Sequence, residues 1–452
     1  MNRQRIRFLF GVLLLWTGVL QTTFAASAAD KWPDGTTIPS WLADTTRVDP
    51  SSLGRRYVVT RHGVCRDSTL IQTSQLQAVI DLAAREGGGV VVIPRGVFLS
   101  GSLFFRPGTH LLLERGARLK GVDDIRHYPL LDSRMEGQSL KYFAALVNGE
   151  GLDGFTITGP GTIDGNGLRF WEEFWIRRRF NPDCTNLEAM RPRLVFLSNC
   201  SNVHVQDVHL INSGFWTNHL YRCHHVKYLG CTIYAPHEPA DSKAPSSDAL
   251  DLDVCHDVLV HGCRISVNDD AVVIKGGKGT WADKDPRNGP SYNIIIQQCK
   301  YGFVHGCLTL GSESLHDWNI ILRDCQVDQA SRVLWLKMRP DTPSTTSAWS
   351  SSGSRATVAA SLPSDHGLSS ISPSTVRTCL YRNAMTSPFA TSICIVAVSS
   401  TSGRPTNTAC IISVSRICAS ASLTRLSSPR SSIRAKYTAA PSTVTLFCPA
   451  RP

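Results

Sequence analysis

After the first thirty residues the 452-residue chain lacks any apolar run long enough to cross a bilayer, so the N-terminal stretch is its one candidate for membrane insertion. Charge is scarce too, at 18 % of residues against 42 % hydrophobic, the composition of an ordinary soluble protein with a large core. Acids all but vanish after Pro343. From Ser344 to Pro452 there are ten Lys and Arg against Asp365 alone, so nine of the eleven net positive charges sit in the last quarter. A basic surface spread over the whole chain, as nucleic-acid binding needs, is thereby excluded.

What is present begins with an export signal. Arg3, Arg5 and Arg7 form a basic region, Phe8 to Leu20 an apolar one, and Ala26-Ser27-Ala28 a small-residue cleavage site. The apolar run is too short to anchor the chain comfortably, which predicts residues 1–28 as a signal peptide, a secreted protein working in the periplasm or outside the cell, and no membrane span once the signal is removed.

Thr73 to Arg85 carries apolar residues at helical spacing (Leu76, Val79, Ile80, Ala83), stopped by Gly87-Gly88-Gly89. Val90 to Ile93 then reads as a buried strand. From about residue 195 the chain repeats itself. Val203, Val226, Val258, Ile294 and Ile320 are each followed two residues later by Val205, Tyr228, Val260, Ile296 and Leu322, and five residues later by Val208, Cys231, Cys263, Cys299 and Cys325. Spacings of 23, 32, 36 and 26 residues suit one coil of a β-solenoid with loops of varying length. The expected fold is all-β, a solenoid of parallel coils over residues 29–343, capped at its N-terminal end by the short helix.

In such a stack equal positions lie above one another, so most of the fifteen cysteines are expected as buried free thiols rather than a disulfide framework, with Cys65 and Cys184 left open. Zinc binding by Cys223, His224, His225, Cys255 and His256 is disfavoured, because alternation sends neighbouring side chains to opposite faces. No metal and no cofactor are expected.

Ser246-Ser247-Asp248 is followed one coil later by Asn268-Asp269-Asp270-Ala271-Val272-Val273-Ile274-Lys275. Adjacent carboxylates repel, so one tends to hold a proton while another stays charged, the combination that glycoside hydrolysis uses. A calcium site or a solvated turn would draw on the same residue types.

These segments, with Val304-His305-Gly306, Gly311-Ser312-Glu313 and Leu334-Trp335-Leu336-Lys337, resemble in order and spacing the four signature motifs of glycoside hydrolase family 28, the polygalacturonase-like pectin hydrolases. The resemblance covers roughly residues 55 to 343 and includes Glu86 to Pro94, Gly159 to Gly165 and Asn212 to Thr217. It implies a right-handed parallel β-helix and an inverting hydrolase cleaving α-glycosidic bonds in a pectic polysaccharide. Asp269 matches the general acid, Asp248 and Asp270 the pair that activates water, His305 a residue that tunes the acid, and Lys337 a substrate-binding lysine. The arginine usually found two residues before that lysine is Trp335, which offers a ring face to a sugar instead of a grip on a carboxylate. Arg339 is the candidate for the missing charge, and His219 and Trp216, one coil before Asp248, are further candidates for the groove. A rhamnogalacturonan or other branched-pectin hydrolase is the alternative activity. A non-catalytic carbohydrate-binding solenoid would need no carboxylate triad, and a lyase would need a calcium cluster and an arginine base that the spacing does not offer. A pectic substrate, no nucleic acid and a monomer complete the expectation.

Residues 344–452 do not repeat the coil pattern; about a quarter are Ser. Disorder and a basic wall-binding tail are two readings. A third is a reading-frame shift near Ser344: in the neighbouring frame, allowed codons turn Ser344 to Ala356 into an alternating stretch carrying the acids the tail lacks.

Overall fold

The computed structural model describes residues 31–342, apart from Pro33, Asp241 and Pro340, and the backbone of Thr357–Ser361 and Ala409–Ile412. The export signal and nearly all of the 344–452 tail lie outside the described residues. Among the described residues no helix is long and apolar enough to cross a membrane.

The chain winds as a right-handed parallel β-helix. Each coil contributes short strands to stacked parallel rows. One row runs through Gly89–Ile93, Thr109–Leu113, Thr156–Thr158, Ser201–Gln206, His224–Leu229, His256–His261 and Ser291–Gln297 to the start of Asp317–Met338. A second flank carries Val147–Glu150, Val195–Ser198, Asn218–Tyr221, Leu250–Asp253 and Val272–Lys275, then Leu308 to Leu310 and Leu334 to Leu336 of the two long last strands. The repeat read from sequence is the register itself: Val203 pairs with Val226, Val226 with Val258, Val258 with Ile294 and Ile294 with Ile320.

Strands this short hold because every second side chain enters a shared interior. Cys200, Cys223 and Cys255 form one internal column and Cys231, Cys263, Cys299 and Cys325 another, all buried and all free thiols. Cys65 and Cys184 are free as well, the first exposed and the second buried. Ring-bearing partners stack on the outside of the same row: His224, His256, Tyr292 and Trp318 lie nearly parallel, with centroids 4.4 to 5.0 Å apart. Cys223 and Cys255 therefore face inward while His224 and His256 face out, so these residues do not converge on one point.

Thr73–Arg85 is the expected helix, and its buried face (Leu76, Val79, Ile80, Ala83) joins the core of the first coils. Glycine is required where it stops: Gly88 has φ +102°, and a Cβ there would lie 2.6 Å from Gly108 O. Two elements that positions alone did not announce shape the second flank. An antiparallel hairpin, Leu130–Met135 with Gln138–Phe143, lies over it, and a helix, Leu168–Phe180, stands beside it, tied by Trp171 Nε1 to Ser213 O at 2.9 Å and Trp175 Nε1 to Lys243 O at 2.7 Å. At the far end Thr357–Ser361 pairs parallel to Asp317–Met338, but Ala409–Ile412 pairs antiparallel to it, so the coil stacking does not continue through that last strand.

Candidate active site

Leu250 pairs with Val272 and Val272 with Leu308. Two residues upstream of each, Asp248, Asp270 and Gly306 fall at one position of three successive coils. Backbone bonds from Ala249 N to Asp270 O (3.0 Å) and from Ala271 N to Gly306 O (2.8 Å) lock that stack. Asp269 precedes Asp270 and lies beside the column. Its carboxyl is 23 % exposed, whereas that of Asp270 is 2 % exposed, so Asp269 is the acid that meets the cleft. Gly306 makes this possible: a Cβ there would stand 2.9 Å from Asp270 Oδ1 and against Thr309 Oγ1.

His305 Nδ1 lies 3.4 Å from Asp269 Oδ1, and His305 N donates to Asp269 O at 2.9 Å. Burial pushes Asp269 up, yet the His305 contact wins and holds it below the usual carboxylate range; His305 is raised in return. Asp270 goes the other way, raised by burial and by the charge of Asp269. Lys337 Nζ is 3.7 Å from Asp270 Oδ2 and 4.6 Å from the centroid of the Trp335 ring.

Behind the triad lies a buried charge network. Asp251 is fully buried, and neither of its carboxyl oxygens has a hydrogen-bond donor. Burial and the Asp269 charge raise Asp248 well above its ordinary value, and burial pushes Asp251 up to about 8. Lys275 opposes both. Its Nζ is 3.6 Å from Asp251 Oδ1, 3.2 Å from Glu313 Oε2 and 4.6 Å from the Trp216 centroid. Under the hairpin, Arg134 donates to Asp253 at 2.9 and 3.2 Å, and Arg193 Nη1 contacts His219 Nδ1 at 2.6 Å. Burial alone would raise Asp253, but His219 and Arg134 bring it down to about 2. His219, desolvated beside Arg193, falls to about 3 and stays neutral.

The structure thus brings Asp248, Asp269, Asp270, His305, Lys337 and Trp335 together. It corrects three expectations. His219 (0 % exposed) and Trp216 (3 % exposed) lie under the hairpin behind the acids and do not border the groove, because the hairpin covers their coil. Arg339 faces Asp341, bound at 2.8 and 2.9 Å, and so is not the free cation of the site. Asp251, Lys275 and Glu313 join the site although the motifs assign them no role; all three stand in or beside the motif segments, but strand alternation marks Asp251 and Lys275 as outward-facing. Among the described residues no cluster of His, Cys, Asp and Glu has the arrangement of a metal site.

Fold and site together define a parallel β-helix protein with a carboxylate centre on one flank. The chain belongs to glycosyl hydrolases family 28, whose sequence pattern matches residues 117–347. It is 29 % identical over 245 residues to a probable polygalacturonase of Vitis vinifera, covering 52 % of this chain and 47 % of that one. To an endo-polygalacturonase of Pectobacterium carotovorum subsp. carotovorum it is 28 % identical over 256 residues, 53 % and 58 % of the two chains. The chain therefore spans about half the length of these curated relatives. The fold is similar to that of an exopolygalacturonase from Thermotoga maritima (TM-score 0.51, 22 % identity, 64 % of this chain and 71 % of that one) and of a polygalacturonase from Erwinia carotovora ssp. carotovora (TM-score 0.50, 24 % identity, 60 % and 70 %).

Proposed function

We propose that the protein is an exported glycoside hydrolase that cleaves a pectic polysaccharide, with inversion, at the Asp248, Asp269, Asp270 centre. The observation that carries this reading is the in-register stack of Asp248 on Asp270, with Asp269 alone opening to the cleft and His305 bound to it. Family membership and the printed activities of the relatives support the substrate class, and the basic and apolar N-terminal segments support export.

In the proposed reaction Asp269 donates a proton to the leaving glycosidic oxygen as the C–O bond breaks, while a water held by Asp248 and Asp270 gives its proton to the ionised member of that pair and attacks the anomeric carbon from the other side. At rest the proton is not where this step needs it: burial and the Asp269 charge raise Asp248 well above its ordinary value, while the His305 contact holds Asp269 low. The raised imidazole of His305, 3.4 Å from Asp269, supplies the proton when bound sugar displaces water from the cleft. The resting arrangement also favours a second reading in which Asp248 is the donor and Asp269 the base.

Substrates with a good leaving group separate the two, because they do not need the acid. Asp269→Asn is expected to lose roughly a hundredfold or more in kcat on polygalacturonate and to regain much of it on a glycosyl fluoride, while Asp248→Asn and Asp270→Asn stay inactive on both. Recovery by Asp248→Asn instead would reverse the roles. Retained anomeric configuration in the product, followed by proton NMR, would sink the inverting mechanism.

A further inference from the structure

The last long strand continues the carboxylate column by one more coil. Gly306 pairs with Arg332, just as Leu308 pairs with Leu334, so Asp248, Asp270, Gly306 and Arg332 occupy the same coil position in succession. Gly306 contributes no side chain, and the space a Cβ would take there is filled by Thr309 Oγ1 and Asp270 Oδ1, so Arg332 is the next side chain of the column after Asp270. Arg332 is exposed, and its guanidinium carbon lies 4.1 Å from the centroid of the Trp335 ring. Lys337 sits 4.6 Å from the same ring and reaches Asp270. Among the described residues no carboxylate is paired with Arg332, in contrast to Arg339 on Asp341.

We propose that Arg332, laid on the Trp335 ring, is a specificity-determining residue that grips the carboxylate of a uronate sugar in the subsite next to the hydrolysed bond. The inference rests on the reading of function given above. Stacking on an indole fixes the plane of a guanidinium and leaves its edge N–H groups pointing outward. Those donors form a fork that matches the two oxygens of a carboxylate. Lys337, already held over Asp270, supplies a point charge but no fork. A neutral hexose or a methyl-esterified uronate gives the fork nothing charged to bind. The Trp335 ring therefore acts as the support of a cation, and the discrimination it confers is for free acid over ester.

The test uses the full 452-residue chain carrying Asp269→Asn, which holds substrate while turning it over roughly a hundredfold or more slowly. Calorimetric titration with the galacturonate trimer and with its methyl ester is compared with and without Arg332→Ala. The expected result is roughly tenfold weaker binding of the free acid, the scale of a charged hydrogen bond, and unchanged binding of the ester. Arg332→Lys recovers only part of the loss, and Trp335→Leu mimics Arg332→Ala. With Asp269 intact, Arg332→Ala raises KM on polygalacturonate by a similar factor and leaves kcat within about twofold. Equal weakening for both trimers, or none for either, overturns the assignment while the function stands. Binding of neither trimer by the Asp269→Asn parent overturns the functional reading and this inference with it.

Discussion

Lys275 is the buried cation of the acid cluster. It lies 3.6 Å from Asp251 and 3.2 Å from Glu313, its charge also acts on Asp248 and Asp270, and it pairs in register with Asp253. Its positive charge lowers Asp248, Asp251 and Asp270, so removing that charge lets all three rise further. The water-activating acid has to be ionised, and the acidic limb of the pH profile marks its deprotonation. Lys275→Met is therefore expected to move that limb of kcat/KM to higher pH by about one unit or more, read from rates between pH 3 and 8; an unmoved limb contradicts the assigned coupling. Because Glu313 would then be buried without its partner, the same profile is measured in Lys275→Met with Glu313→Gln. Gly306→Ala supplies a second residue-scale test. Its methyl would meet Asp270 Oδ1 and Thr309 Oγ1, so kcat and the melting temperature both fall, and a wild-type kcat would show that the acid has room to spare. Asp248, Asp269 and Asp270 were legible in the sequence because acids next to strands of a repeating coil fall together. Asp251 and Lys275 were not, since alternation marks them as outward-facing and only the covering hairpin turns outward into buried.

That hairpin is the element that converts a sheet face into an interior. Arg134 reaches through it to Asp253, with side-chain exposures of 1 % and 0 %. Arg134→Ala leaves Asp253 buried without its cation, with only His219 beside it, which costs about 3–5 kcal/mol; Lys141→Ala on the exposed side of the hairpin, paired with Asp132, changes stability little. Chemical denaturation of the two variants compares them directly, and equal midpoints would mean the buried pair does not anchor the hairpin. The helix Thr73–Arg85 could be read from apolar spacing and a glycine stop because its order is local. The hairpin could not, since Leu130–Phe143 owes its place to partners as distant in sequence as Asp253 and Gly276. The same covering is why His219 and Trp216, correctly placed one coil before Asp248, line no groove.

At the scale of the molecule, the repeat fixed by Val203, Val226, Val258, Ile294 and Ile320 is a statement about pairing partners, and a solenoid is the one fold class in which sequence period and strand register coincide. The family match stops at residue 347, four positions past Pro343, where composition turns basic and Ser-rich. We propose a frame shift near Ser344 as the source of that break. Sequencing the gene across codons 340 to 350 is expected to reveal a displaced base, and an uninterrupted original frame removes the proposal. The most direct test of the central claim is release of reducing ends from polygalacturonate by the purified 452-residue chain, run beside Asp269→Asn with ultraviolet absorbance recorded. The account predicts reducing ends without an unsaturated, ultraviolet-absorbing product, and their loss in the variant. No release by the parent, equal release by both, or an absorbing product would contradict it.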